Sequence, residues 1–375
     1  MKTLAWAVFL GISWTWCIGM YLPVLLLAHL GLGGFLVLAI PNVLGAAAMG
    51  WVLRDAQASR RWVAQHETAC VWFSLTTILF HAFFAAWLIR KIAGHNTGAA
   101  VAVVFWVFWI ILQWRRGGKF LATLLALAVS LLALGWGLSR GELPYMARPI
   151  PNLALPPIEA LWMAPVFIFG FGLCPYLDLT FHDARQHLNR SQARIAFSFG
   201  FGGIFLLMLL FTLAYSGWMV AYFDRERYPQ LALILAAHLI VQTCVTAALH
   251  AQQVAARLRR ISFAQFGGFS AALIIVVLLG VLDRDRITYH GLRFGELVYR
   301  CLTAFYGLGF PAYIWLRMIP PARSNLRLAV AILLALPLYW IGFVEERLIF
   351  LLPGAAVLIL SRYFPPSRAK NRQNA

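Results

Sequence analysis

The chain has 375 residues, 62% hydrophobic and 12% charged, with a mean hydropathy of +0.77. A water-soluble domain carries about 25% charged residues, so this composition excludes a protein whose whole surface faces water. The net charge of +18 does not mark a nucleic-acid binder, because the basic residues fall in short loops between apolar runs, the arrangement of a membrane-topology signal.

A membrane span needs about 20 apolar residues. In chain order the sequence predicts an all-α polytopic protein with twelve spans, at 4–28, 33–53, 69–90, 98–114, 119–138, 157–181, 195–218, 230–252, 268–282, 294–316, 326–344 and 347–363. Met1-Lys2-Thr3 leads directly into the first run with no small-residue cleavage site behind it, so that run reads as a span and not a removed signal. Gly11, Gly19 and Pro23 interrupt this first span, and Ser13, Thr15 and Cys17 add small polar groups. The third carries His81 on one face with Ser74 and Thr77, a satisfied structural histidine. After the fifth comes SRGELPYMARPIPNLALP (139–156), Pro-rich and therefore irregular or extended. The sixth, VFIFGFGLCPYLDLTFHDARQ, is interrupted by Gly170, Gly172 and Pro175, with Asp178 following near membrane depth. On the eighth, His238, Gln242, Thr246 and His250 form one polar stripe. It reads either as part of a proton or substrate path or as interhelical hydrogen bonding, with His250 at the headgroup level. Glu296 and Arg300 in the tenth are an i, i+4 ion pair. Only Glu345 and Glu346 separate the last two spans.

The Pro-rich stretch divides the chain into repeat one (4–138), a linker (139–156), repeat two (157–316), two extra spans (326–363) and a short basic tail (364–375), all one transmembrane domain. With the N-terminus placed inside, Lys and Arg favour the inner loops two to one. Most acids, among them Glu142, Asp224, Glu226, Asp283, Asp285, Glu345 and Glu346, fall outside. This predicts both termini on the cytoplasmic face of the inner membrane. The five cysteines (Cys17, Cys70, Cys174, Cys244, Cys301) form no CxxC pair and read as small apolar packing residues.

The interruptions near 17 and near 174 occupy corresponding places in two five-span halves. A helix broken at mid-bilayer leaves N–H and C=O groups unpaired, at several kcal/mol each in hydrocarbon, and persists only where it is buried or binds something. Matching breaks in two halves point to a transporter substrate site. Five spans, five spans and two extra, with the first of each five interrupted, resembles the leucine-transporter fold of the amino acid–polyamine–organocation superfamily. The segments TWCIGMYLP, HLGLGG and AIPNVLGAAAMGWVL are similar in texture to the sodium:solute symporters.

The resemblance implies a 5+5 inverted repeat and a substrate held between the first and sixth spans. The candidates are Trp14, Thr15, Cys17, Gly19 and Met20, with Phe169, Phe171, Cys174, Tyr176 and Asp178. The aromatic members serve equally as packing residues. Ion-coupling candidates are Asp178, His238, Gln242, Thr243 and Thr246. Sodium-coupled members use adjacent hydroxyl residues in the eighth span, whereas Thr243 and Thr246 here are three apart, which leaves Na⁺ or H⁺ open as coupling ion. The function these readings imply is secondary transport of a small organic solute, with the bilayer and the solute as partners and no cofactor or catalytic residue. Asp178, His182, Asp183 and His187 include two i, i+4 pairs, the spacing of a metal site on one helix face, so an integral-membrane metalloenzyme is a rival. A non-transporting sensor or assembly subunit on the same scaffold is another. No P-loop, GxSxG, HExxH or dinucleotide motif stands in a usable context.

Overall fold

The computed structural model describes residues 1–94, 97–113, 117–141, 148–220, 229–257, 262–283, 287–289, 291–319 and 324–363. Outside the described residues lie His95, Arg115, Arg116, Glu142, Asp224–Arg227, Arg259, Arg260, Arg284–Arg286, His290, Arg323 and the basic tail 364–375, so part of the charge asymmetry read from the sequence has no structural counterpart here.

Among the described residues the fold is all-α apart from one short antiparallel ladder, β1 (Ile287–Tyr289) with β2 (Leu292–Arg293). The first half comprises α1 (Lys2–Ser13), α2 (Cys17–Val52), α3 (Ala56–Phe84, prolonged by a wide turn and a last turn to Ala93), α4 (Thr97–Gln113) and α5 (Gly118–Arg140). The second comprises α6 (Glu159–Leu173, followed by a tight turn Cys174–Leu177), α7 (Leu179–His187), α8 (Arg190–Phe199, running on through Gly200–Phe205 into Leu206–Val220), α9 (Pro229–Ala255), α10 (Phe263–Val281) and α11 (Phe294–Tyr313, extended by Ile314–Met318). Then come α12 (Asn325–Phe343) and, after a turn at Leu348–Phe350, α13 (Leu351–Ser361).

Among the described residues, eight helices are long and apolar enough to cross a membrane: α2, α3, α5, α6, α8, α9, α10 and α12. This is the architecture of a multi-pass membrane protein. The twelve runs read from the sequence do not each become such a helix. The first is cut in two, so α1 alone is short. The helices of the fourth and twelfth, at 17 and 14 residues, are also short; 17 residues rise about 25 Å against a hydrocarbon core of about 30 Å. The tenth has the length in α11 but carries Glu296 and Arg300.

The first two expected spans join in α2, bent where Gly31 takes φ 59°, ψ −150°. A Cβ there would meet Pro149 Cδ at 3.0 Å. The bend frees the Ala28 and His29 carbonyls, and both accept a backbone hydrogen bond from the Pro-rich segment, from Ile150 N–H (2.9 Å) and Leu155 N–H (2.8 Å). The irregular linker therefore completes a bent helix.

Close crossings bring the two halves together. A Cβ on Gly11 of α1 would lie 2.6 Å from the Gly200 carbonyl of α8, and one on Gly200 would lie 2.8 Å from the Ala7 carbonyl. Small residues at a crossing let backbones approach, the usual means of packing helices in lipid. The long apolar helices range from α9, with 78% of its apolar window buried, to α10, with 6%. The core thus sits around α9, α3 and the front of α2, and α10 is peripheral with apolar residues outward.

Asp55 starts α3. Its Oδ1 accepts from Ala58 N–H at 2.6 Å, and that bond holds the carboxyl below the ordinary carboxylate range. A depressed value means the cap is in force at neutral pH and fades only as pH falls through that lowered value. Asp55→Ala should lower the thermal midpoint in detergent and Asp55→Asn, a capping residue without charge, should not; equal midpoints for both would remove the cap from the account.

Candidate functional site

The first break lies at Trp14–Trp16, between α1 and α2, slightly earlier than the sequence indicated. The second runs from Cys174 to Asp178. They are neighbours in space: the Trp14 and Phe181 rings stand 5.0 Å apart, and Thr180 Oγ1 lies 3.4 Å from Ser13 Oγ.

Several polar backbone groups at and beside the breaks are met by side chains. Cys17 N–H donates to His81 Nε2 (3.3 Å), whose Nδ1 pairs with the Thr77 carbonyl (2.8 Å). The Cys17 carbonyl accepts from the Tyr299 hydroxyl and the Met20 carbonyl from the Tyr215 hydroxyl. The Ser13 carbonyl accepts from Trp16 Nε1 and the Gly11 carbonyl from the Thr15 hydroxyl. At the second break the Tyr176 carbonyl accepts from Trp62 Nε1 at 3.0 Å and faces His182 Nε2 at 3.0 Å. His81, expected as a satisfied structural residue, is satisfied, and what satisfies it is the broken backbone.

A cavity of about 50 Å³ lies between the breaks, lined by Trp14, Trp16, Ile18, Gly19, Leu22, Asn42, Val166, Phe167, Gly170, Phe171, Cys174, Thr303, Tyr306, Gly307 and Phe343. That is room for a few waters and no organic solute. Its wall is nearly all apolar. Trp14 Nε1 donates to Asn42 Oδ1 at 2.7 Å, and the Trp16 ring sits among Phe73, His81, His250 and Tyr306. A second cavity of about 50 Å³ shares Leu22, Thr303 and Phe343 with the first and continues toward His29, Arg300 and Glu346.

Of the substrate candidates, Trp14, Gly19, Phe171 and Cys174 line the cavity. Thr15, Cys17, Met20 and Tyr176 are buried beside it and engaged through backbone or hydroxyl groups. Phe169 is not brought to the site, because it lies on the opposite face of α6 against Trp315, with ring centroids 5.6 Å apart. The ion-coupling candidates scatter. His238 and Gln242 both meet Ser130 of α5, at 2.9 and 2.8 Å, away from the breaks. Thr243 lines an apolar groove of about 590 Å³ between α3, α4, α9 and α10, which His81 also lines. Thr246 is fully buried, and its hydroxyl has no hydrogen-bond partner among the described residues.

His250, read as a headgroup-level residue, is fully buried. Its Nδ1 pairs with Ser74 Oγ at 3.1 Å, and its Nε2 faces Asp178 Oδ2 at 3.9 Å. Asp178 caps α7: its Oδ1 accepts from Thr180 N–H and Thr180 Oγ1, each at 2.7 Å. The stripe His238, Gln242, Thr246, His250 held the signal for this contact; what hid it was that the four residues serve three different surroundings. Asn42, Thr303, Tyr306 and Phe343 went unread as site residues because nothing local marks them.

The proposed metal spacing on α7 does not close. His182 Nδ1 pairs with Ser59 Oγ at 2.8 Å, Asp183 pairs with Lys119 and with His187, and among the described residues no three His, Cys, Asp or Glu side chains converge.

No protein-family model matches the chain, and no curated protein matches it.

Proposed function

We propose that the chain is a secondary carrier for a small organic solute, built as a leucine-transporter-type scaffold of five plus five spans and two extra. The observation that supports this best is the meeting of two broken helices around one cavity. In the proposed repeat, α1 with the front of α2 corresponds to α6 with α7. The back of α2, α3, α4 and α5 correspond to α8, α9, α10 and α11, and α12 with α13 are the addition. The bundle of α1, α2, α6, α7 and α8 would rock against α3, α4, α9 and α10. The small cavity then belongs to a closed state, in which the solute-sized volume is collapsed between the aromatic walls.

The collapsed cavity and the well-satisfied breaks equally favour a second reading, a non-transporting sensor on the same scaffold. A solute-uptake screen in proteoliposomes with imposed pH or sodium gradients separates the two. Gly170 lines the cavity, while Gly172 has no atom within 4 Å of a built Cβ. Gly170→Leu should cut flux at least tenfold with expression and thermal midpoint near wild type, and Gly172→Leu should leave flux unchanged. Absence of flux for every solute class, or equal flux in both variants, would discard the carrier.

A further inference from the structure

Asp178 has one carboxylate oxygen more than its structural role uses. Oδ1 caps α7 through Thr180. Oδ2 is buried, makes no hydrogen bond among the described residues, and points at His250 Nε2, which is also buried and unbonded there. Both side chains are 0% exposed. With Nδ1–H donating to Ser74 Oγ, Nε2 is a bare acceptor, and a carboxylate oxygen facing it in an apolar interior leaves two acceptors without a donor, a costly arrangement. At 3.9 Å they are too far apart for a hydrogen bond. One proton on Oδ2, donated to Nε2, would satisfy both atoms and let them close to bonding distance.

We infer that Asp178 and His250 together bind one exchangeable proton, and that this proton, and not sodium, is the coupling ion. The coupling role rests on the carrier reading; the proton site does not. The local chemistry favours the proton. The unsatisfied pair offers one oxygen and one ring nitrogen, whereas a hard cation takes a shell of oxygens. Four carbonyls flanking the first break, at Gly11, Ser13, Cys17 and Met20, already accept a side-chain hydrogen bond. Thr243 lines the groove between α3, α4, α9 and α10, and the Thr246 hydroxyl, one turn before His250 on α9, adds a single neutral oxygen.

The pair also spans the moving boundary. Asp178 belongs to the proposed bundle; His250 and its partner Ser74 belong to α9 and α3 of the scaffold. On the bundle side the contacts continue from Asp178 through Thr180 to Ser13 at the first break. Binding the proton would draw bundle and scaffold together, and losing it would release them. Other titratable or charged groups stand around the pair: His81, Cys70 and Glu67 of α3, Tyr306 of α11, Cys17 and Cys174 at the breaks, His182 of α7, and Arg257 just past the end of α9. Of these, His81, His182 and Tyr306 are already engaged in hydrogen bonds.

The test is infrared difference spectroscopy of the full chain in proteoliposomes, with no solute present, titrated between about pH 5 and 9. Wild type should show a protonated-carboxyl band that titrates. Asp178→Asn should abolish it and stay folded, since asparagine caps a helix as well as aspartate does. His250→Leu should bind the proton about tenfold more weakly, a one-unit move of the midpoint. His250→Gln, which restores an acceptor, should fall between and covers the event that the leucine variant does not fold. A band that survives Asp178→Asn, no titrating carboxyl in this range, or a midpoint indifferent to both His250 variants would overturn the proton site. A titrating Asp178 band without flux of any solute removes the carrier and leaves the site standing. Sodium-driven flux with no titrating band removes the site and leaves the carrier.

Discussion

Arg300→Met should lower the stability of the protein by about 2–4 kcal/mol, read as a fall of several degrees in the thermal midpoint in detergent. The guanidinium joins three parts of the fold. It pairs with Glu296 one turn back on α11, with Glu346 in the turn before α13, and donates to the Phe343 carbonyl at the end of α12. His29, at the bend of α2, faces the same Glu346 at 3.4 Å. The side chain of Arg300 is 11% exposed, those of Glu296 and Glu346 20% and 31%. Taking away one partner of a buried ion pair costs about 3–5 kcal/mol because the remaining charge is stranded; the two carboxylates reach some solvent, which places the effect toward the low end. Adding Glu296→Gln and Glu346→Gln to the methionine variant should recover more than half of the loss, since neutral amides leave no charge behind. A methionine variant as stable as wild type, or no recovery in the triple variant, would show that the cluster is a solvated surface feature.

Gly45→Ala should cost about 1–3 kcal/mol although it adds one methyl group. A Cβ at 45 would stand 2.3 Å from the Phe171 carbonyl oxygen, 2.6 Å from its carbon and 2.9 Å from Gly172 N. All three are backbone atoms of α6, so no side-chain rotation relieves the clash and the helix itself must move. Phe171 lines the cavity, so the displacement reaches the site as well as the crossing. Gly172→Ala, with open space around its Cβ, is the control and should hold the wild-type midpoint. Equal midpoints for the two alanine variants would mean that α2 and α6 do not approach as closely as the structure places them.

Glu346 shows how much a turn can hide. The sequence offered only two acids between two apolar runs, and the separation of the last two helices rested on them. In the fold Glu346 is the single described non-glycine residue with positive φ, at 60°. That left-handed backbone turns the chain sharply between α12 and α13, and the same residue delivers its carboxylate to Arg300 and His29.

The sequence by itself determined the solvent and the punctuation of this protein. Apolar runs long enough for a bilayer, Gly and Pro inside two of them, and the i, i+4 pair Glu296–Arg300 are local properties, and local properties are legible residue by residue. The breaks therefore fell within a few residues of 17 and 174 as read. Tertiary structure alone decided which residues share a site. Phe169 and Phe171 are two apart on one helix, yet α6 turns one toward Trp315 and the other toward the cavity. His238 and His250 share one stripe, yet one meets Ser130 and the other Asp178. In a chain so uniformly apolar, hydrophobic periodicity cannot say which helix face looks at protein and which at lipid. That choice is made by backbone approach at Gly11, Gly45 and Gly200 and by the pairing of a few buried polar atoms, and both depend on residues far apart in sequence.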